Sequence, residues 1–155
     1  KKILKKNYTQ NEIHKKSKQF SNLVLDKVVN SKFILGSKRF ITNNYNKKLL
    51  FISSGTPQAE LEVICKRKNI SQYFKGIYGS PLKKKDHIIN IIKKWKLNKK
   101  EILFVGDAMI DLQVSLECKL YFLAIGNNLR KSINHNNFIL NDLKNINKII
   151  RKIEK

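Results

Sequence analysis

Residues 102–111 read ILFVGDAMID, and this stretch decides the expected fold. An apolar run of four residues is typical of a buried β-strand, and the Gly-Asp pair after it indicates a turn. Asp111 then falls at the start of a helix expected from about Ile110 to Glu117. A strand, a polar loop and a helix in this order form the repeating unit of a parallel α/β sheet.

The same unit recurs on both sides of this stretch. Thr56 and Pro57 are expected as the N-cap and first residue of a helix whose Leu61, Ile64 and Cys65 face inward. The expected strands are residues 49–52, 76–79, 102–105, 120–125 and 138–140, and the other expected helices are residues 86–95 and a C-terminal one with Leu143, Ile146, Ile149, Ile150 and Ile153. The pattern predicts an α/β fold with a parallel sheet and helices on both faces.

The first 46 residues follow a helical pattern instead. Thr9-x-x-Glu12 has the spacing of a capping box, which predicts the start of a helix of about twenty residues. Its apolar face would contain Ile13, Phe20, Leu23, Val24 and Val28. A shorter helix is expected from Ser37 to about Tyr45. The chain therefore divides into a helical segment, residues 1–46, and an α/β core, residues 47–155.

The composition is strongly basic, with 33 Lys and Arg against 11 Asp and Glu, so the net charge is +22. Nucleic-acid binders of this charge favour Arg, whereas 29 of these 33 residues are Lys. Lys, Asn and Ile together make 68 of the 155 residues, which is typical of an AT-rich genome. We therefore attribute most of the charge to composition and expect no specific nucleic-acid partner.

The longest apolar runs, such as residues 49–52 and 120–125, are far shorter than the ~20 residues of a membrane span. No membrane association and no secretory signal are expected. Cys65 and Cys118 lie 53 positions apart without metal-ligand spacing, which predicts free buried thiols and a cytoplasmic protein.

Three expected strand ends carry groups suited to a phosphate and a metal. Ser54 and Gly55 follow the first strand and offer a hydroxyl and a backbone N–H. Lys84, in Gly-Ser-Pro-x-x-Lys, follows the second strand, and Asp107 and Asp111 follow the third. Paired carboxylates suit a hard cation such as Mg²⁺. Because carboxyl ends of parallel strands meet at one edge, the sequence predicts a phosphate-plus-metal site there.

These motifs resemble those of the haloacid dehalogenase (HAD) superfamily of phosphohydrolases, over roughly residues 48–128. The Ser54-Gly55 step is similar to the second family motif, Lys84 to the third, and Asp107 with Asp111 to the fourth. The resemblance implies a Rossmann-like core. Residues 1–46 look like the remainder of the helical cap of phosphoglycolate-phosphatase-like members.

The resemblance also implies roles for these residues. Ser54 and the Gly55 N–H would bind the transferring phosphoryl group, and Lys84 would neutralise charge on it. Asp107, supported by Asp111, would hold Mg²⁺. The implied activity is hydrolysis of a small phosphorylated metabolite through an aspartyl-phosphate.

One departure from the family pattern limits this expectation. The first family motif, an Asp-x-Asp that supplies the nucleophile, occurs nowhere in the sequence. Asp26 ends an apolar run, but its surroundings keep helical periodicity, so we do not assign it that role. We expect that a longer enzyme includes a central strand that this chain lacks, and that the chain alone is inactive. A non-catalytic phosphate- or nucleic-acid-binding protein is the alternative, and the oligomeric state is not predicted.

Some residue assignments have alternatives. Ser53 replaces Ser54 if the register is shifted by one, and Lys84 stands in a Lys-rich chain where any lysine could be a solvated one. Trp95 could stack on a base, but packing on the sheet is favoured. The histidines share no spacing and are expected on the surface or on a helix face, namely His14, His87 and His135.

Overall fold

The computed structural model describes residues 9, 10, 12, 16, 24–133 and 137–154 of the chain. The chain forms two compact units, Lys1–Lys32 and Phe33–Lys155. The predicted domain boundary between residues 46 and 47 stays a prediction.

The first unit begins with the predicted capping box. The Thr9 N–H donates to Glu12 Oε2 at 2.8 Å, and the Glu12 N–H donates to Thr9 Oγ1 at 3.3 Å, which confirms this helix start. Residues 24–30 form helix α1, and Val24 and Val28 on it are exposed within the described chain. The other members of the predicted apolar face, Ile13, Phe20 and Leu23, lie outside the described residues.

The second unit alternates strands and helices as predicted. In chain order its elements are α2 (Ser37–Asn44), β1 (Phe51–Pro57), α3 (Gln58–Arg67), β2 (Gly76–Ser80), α4 (Lys84–Trp95), β3 (Leu103–Gly106), α5 (Met109–Cys118), β4 (Tyr121–Ile125), β5 (Phe138–Leu140) and α6 (Ile146–Ile153). Two 3₁₀ turns, Ser71–Tyr73 and Lys99–Glu101, were not predicted. The α/β fold class is confirmed.

The described strands form two parallel sheets. In one sheet β1 pairs with β2, and in the other β3 pairs with β4 and β4 with β5. Among the described residues β1 and β3 do not pair with each other. Each of these two strands therefore has one strand neighbour in the described chain.

Helices cover both faces of the sheets. On one face, Ile88 and Ile92 of α4 pack with Val114 of α5 and with Phe104 of β3. The opposite face of β1 and β2 packs on α3, through Leu61, Cys65 and the strand residues Ile52 and Ile77. The opposite face of β3, β4 and β5 packs on α2 and α6 through the cluster of Phe40, Leu103, Val105, Leu123, Ile125, Phe138, Leu140, Ile146 and Ile150.

The structure corrects the predicted bounds of β1. The expected buried strand at residues 49–52 begins at Phe51, and Leu49 is 42% exposed. The strand runs on to Pro57, which lies opposite Ser80 of β2 after an irregularity in the pairing. This cross-strand partner keeps Thr56 and Pro57 extended, so Pro57 is the N-cap rather than the first helical residue.

Two other expectations concern the cysteines and the membrane. Cys65 and Cys118 are free and buried, as predicted. Across the described part of the chain, no helix combines the length and apolarity needed to cross a membrane.

Candidate functional site

The structure joins Lys84 and Asp111, which are 27 residues apart in sequence. Lys84 begins α4, and its Nζ donates to Asp111 Oδ1 of α5 at 2.5 Å. The Lys84 side chain is 19% exposed and that of Asp111 is 4% exposed. Removing one partner of an ion pair with this little solvent costs more than breaking a surface pair, because the other charge is left buried and unpaired. The third and fourth predicted motifs therefore meet at one edge of the sheets.

Asp111 is fixed by two further features of its loop. Its Oδ2 accepts the Ala108 N–H at 3.2 Å, which caps α5. A Cβ at Gly106 would lie 2.5–2.6 Å from the Asp111 side chain, so only glycine leaves room for it. The Gly-Asp turn that ends β3 is thus shaped around the buried carboxylate.

Asp107 lies in the same loop and is exposed. Both carboxylate oxygens of Asp111 are engaged, so Asp107 is the carboxylate that the loop offers to a ligand. In residues 9, 10, 12, 16, 24–133 and 137–154, no cluster of three or more His, Cys, Asp or Glu could hold a metal. Mg²⁺ nevertheless fits one carboxylate, because it keeps several waters and commonly takes phosphate oxygens as further ligands.

Ser54 and Gly55 lie in the extended end of β1, not at a helix N-terminus. The Ser54 hydroxyl donates to Thr56 Oγ1 at 3.0 Å and accepts the Thr56 N–H at 3.1 Å. Gly55 is exposed, and nothing lies within 4 Å of the position that a Cβ would take. This end of β1 therefore offers an exposed backbone segment beside an ordered hydroxyl.

Ser53, the alternative to Ser54, has a structural partner. Its hydroxyl lies 2.9 Å from Nδ1 of His87, and Nε2 of His87 lies 3.1 Å from the Gly79 carbonyl. A carbonyl only accepts, so Nε2 carries the hydrogen and Nδ1 accepts the Ser53 hydroxyl proton. Ser53 therefore faces α4.

His87 lies on helix α4, one of the two positions expected for the histidines, and it is buried, with 1% exposed. Burial lowers the pKa of His87 below its ordinary value of 6.5, and the bond to the Gly79 carbonyl partly opposes this. His87 joins the ends of β1 and β2 to α4, one turn after Lys84. Its two hydrogen bonds thus hold both strand ends against α4.

Gln58, the first residue of α3, also bonds to the end of β2. The Gly79 N–H donates to Gln58 Oε1 at 2.5 Å, and Gln58 Nε2 donates to the Ile77 carbonyl at 3.0 Å. Gly79 therefore has its N–H and its carbonyl bound by two different side chains. The sequence pattern identified neither, since both bonds join residues distant in the chain.

Lys83 and Lys85, which flank Lys84 in sequence, are more exposed than Lys84 and do not bond to Asp111. Lys83 is exposed, and Lys85 forms a 2.8 Å ion pair with Glu117 in which both side chains are about half exposed. The Glu117 carboxylate raises the pKa of Lys85. Of the three successive lysines, Lys84 alone reaches a buried carboxylate of the site.

The sequence model of the haloacid dehalogenase-like hydrolase family matches residues 1–125. The chain belongs to this family. No curated protein matches the chain. The Rossmann-like HAD core expected from the motifs is confirmed by this match and by the parallel α/β structure.

Solved structures of HAD proteins share this fold. A Haemophilus somnus protein predicted to be a phosphoglycolate phosphatase has a TM-score of 0.79 at 20% identity, over 93% of this chain and 69% of its own. A HAD-like family hydrolase of Streptococcus pneumoniae has a TM-score of 0.72 at 17% identity, over 92% and 71%. A Bacillus subtilis protein assigned to the HAD hydrolases and bound to magnesium has a TM-score of 0.74 at 13% identity, over 90% and 63%.

Proposed function

We propose that this edge of the sheets serves Mg²⁺-dependent hydrolysis of a small phosphate monoester. The observation that carries the proposal is the buried pair of Lys84 and Asp111. It joins a cation and a carboxylate at the strand ends where ligands of parallel α/β folds bind. Phosphoryl transfer depends chiefly on positioning and charge neutralisation, which such a site can supply.

Each residue would then have a distinct task. The Ser54 hydroxyl and the Gly55 N–H would hold phosphoryl oxygens, and Lys84 would neutralise their charge. Asp107 would bind Mg²⁺, which would polarise the phosphate when bound. Asp111 would act chiefly by orienting Lys84, because its own oxygens are already bonded.

The nucleophile is missing from this scheme, since the sequence contains no Asp-x-Asp. We infer that the phosphatase needs an acidic segment beyond residues 1–155, and that these residues alone bind phosphate without turning it over. The buried free cysteines support the proposal that the protein acts in the reducing cytoplasm.

The binding half of the proposal is tested with inorganic phosphate in the presence of Mg²⁺, followed by NMR. We expect Lys84→Met to weaken binding about tenfold, which corresponds to about 1.4 kcal/mol. Lys85→Met is the matched control and should leave binding unchanged. Equal binding by the wild type and Lys84→Met would exclude Lys84 from the site.

The catalytic half is tested with p-nitrophenyl phosphate and Mg²⁺. We expect no turnover above the buffer rate from the 155-residue chain. Turnover that Asp107→Asn abolishes would show that the chain already contains its nucleophile, contrary to the proposal.

The alternative function, a polyanion-binding protein, predicts a different dependence of binding on salt. A specific nucleic-acid binder would keep sub-micromolar affinity at physiological salt, with a steep salt dependence. We expect RNA and DNA binding to vanish above ~0.1 M salt, because lysines spread along the chain attract polyanions without a built site.

A further inference from the structure

The pairing of β1 with β2 is interrupted at the candidate site. The ladder stops after Ser53 and resumes only at Pro57. Across this interval β1 contains residues 54–56, which we call the bulged segment, whereas β2 contains only Gly79. Extra residues on one strand bend out of the ladder and lose their cross-strand bonds. The groups of the bulged segment that would bind phosphate must therefore be positioned by contacts other than strand pairing.

The bulged segment packs directly on Gly79. A Cβ at Gly79 would lie 2.5 Å from the Thr56 carbonyl oxygen and 2.8 Å from Cα of Gln58, so the backbones approach more closely here than a side chain allows. Gly79 is buried, and its N–H donates to Gln58 Oε1 at 2.5 Å. Whatever holds Gly79 in place therefore also determines where the bulged segment lies.

His87 holds Gly79 through its carbonyl and at the same time holds β1. Nε2 of His87 lies 3.1 Å from the Gly79 carbonyl oxygen, and Nδ1 lies 2.9 Å from Ser53 Oγ. The ring of Tyr78 lies beside the imidazole, with ring centroids 5.7 Å apart. One imidazole is thus bonded to the last paired residue of β1 and to the β2 residue on which the bulged segment packs. It supplies a link between the strands where the ladder is interrupted.

The same imidazole belongs to the helix that begins with Lys84. Lys84 lies about one turn before His87 on α4, so both side chains project from the same face of the helix. In the proposed function, Lys84 and the bulged segment bind the same phosphoryl group. Because His87 ties α4 to both strand ends, it determines how far these two parts of the site lie from each other.

Stability alone does not require this polar link. Replacing two buried, bonded polar groups by apolar groups of the same shape is often nearly neutral, which applies to Ser53 and His87. Burial lowers the pKa of His87, so the imidazole is held in an environment that disfavours its charged form. Hydrogen bonds fix an orientation that apolar packing would leave adjustable, since their strength depends on angle. Precise placement is what the two bonds of His87 add to the fold.

We propose that His87 is a positioning residue for phosphate binding. Its hydrogen bonds to Ser53 and Gly79 set the place of the bulged segment relative to Lys84, while His87 itself does not touch the phosphate. The role in phosphate binding rests on the proposed function, whereas the positioning of the bulged segment does not.

The positioning is tested first without ligand, by amide hydrogen exchange on the full 155-residue chain. The Thr56 N–H is bonded within the bulged segment and reports on its order. We expect His87→Leu to speed exchange of this N–H about tenfold or more, and Ser53→Ala to speed it less, because one bond of the imidazole then remains. Ser115→Ala is the matched control, since this fully buried hydroxyl bonds within its own helix, and it should leave the exchange unchanged.

The effect on binding is measured with inorganic phosphate and Mg²⁺ in an NMR titration. We expect His87→Leu to weaken binding about tenfold and Ser53→Ala about threefold, because small displacements of binding groups are costly. His87→Gln keeps one donor and one acceptor and should restore binding to within about threefold of the wild type. Circular dichroism checks that each variant is folded, and Ser53→Ala carries both measurements if His87→Leu does not fold.

The possible failures are distinguishable. Unchanged exchange at Thr56 in the folded variants would overturn the positioning, whatever the phosphate affinity. Faster exchange with unchanged affinity would overturn the role in binding and leave the phosphate site in place. Equal weakening by His87→Leu and His87→Gln, or the same changes in Ser115→Ala, would show that the hydrogen bonds of the imidazole have no particular role. A wild type that binds no phosphate would overturn the proposed function and the role in binding together.

Discussion

Strands β4 and β1 belong to the same compact unit, yet their burial differs greatly. β4 has strand neighbours on both sides, and its central residues are excluded from solvent. Within the described part of the chain β1 has one strand neighbour, and no residue of β1 is fully buried. Phe51 and Ile52 of β1 are as apolar as the centre of β4 but are only partly buried, so for these two residues the difference comes from the neighbours and not from hydrophobicity. In this fold the strand order decides how much stability an apolar residue contributes.

Two phenylalanines test this comparison with the largest expected effect. Phe122→Ala in β4 should lower the free energy of unfolding by about 3–5 kcal/mol, because it leaves a cavity in a closed core. Phe51→Ala in β1 should cost about half as much, since the side chain is only partly buried. Urea unfolding followed by circular dichroism measures both. Equal losses would mean that β1 is as well packed as β4.

The two ion pairs between α4 and α5 test the same contrast between buried and exposed positions. Asp111→Asn leaves the Lys84 charge without its partner and should cost about 2–3 kcal/mol, less than a fully buried pair because Lys84 keeps some solvent. Glu117→Gln removes the exposed partner of Lys85 on the same two helices and should not change the unfolding midpoint measurably. A comparable loss in both variants would refute the special position of Lys84.

Two glycines at strand ends give a smaller effect. Gly106→Ala should destabilise by about 1–2 kcal/mol, because its Cβ would push on the Asp111 side chain. Gly55→Ala is the matched control in the β1 half, where a Cβ meets nothing within 4 Å. Thermal unfolding should leave the control unchanged or slightly stabilised. A neutral Gly106→Ala would show that the carboxylate has room to move.

The smallest effect is a pH dependence in the β1–β2 half. The pKa of His87 is lowered in the folded protein, so the unfolded chain binds its proton first as the pH falls. Its contribution to stability is thus complete above pH 6.5 and decreases below it. Between pH 7 and pH 6 the loss should be at most about 0.7 kcal/mol. The difference between wild type and His87→Gln in urea unfolding isolates this change, and parallel pH profiles would contradict the assignment.

Much of the fold could be predicted because local patterns determine it. The inward residues of α3, Leu61, Ile64 and Cys65, are buried as their helical spacing indicated. The end of β1 could not be predicted, because Pro57 stays extended through its partner Ser80 in another strand. Local rules for helix starts cannot include such a partner.

In the candidate site, too, local patterns predicted some features, and contacts between distant residues determine the others. The residue types at the strand ends indicated Lys84 and Asp111, and parallel strands were expected to bring them to one edge. That Asp111 binds Lys84, and so leaves Asp107 as the exposed carboxylate, depends on a contact between two helices. The hydrogen bonds of His87 could not be predicted for the same reason, since its partners lie in β1 and β2. Roles set by distant partners need the folded structure.

The alkylation rate of each cysteine reports how often the region around it opens in the native state. Cys65 is packed with Leu61 and Ile70 against β1 and β2, and Cys118 with Val114 and Leu120 beside β3. Burial raises the pKa of both thiols, so alkylating reagents reach a reactive thiolate only when the surrounding cluster opens. If the two-stranded sheet opens locally more often than the three-stranded sheet, Cys65 will be alkylated first, before the protein as a whole unfolds.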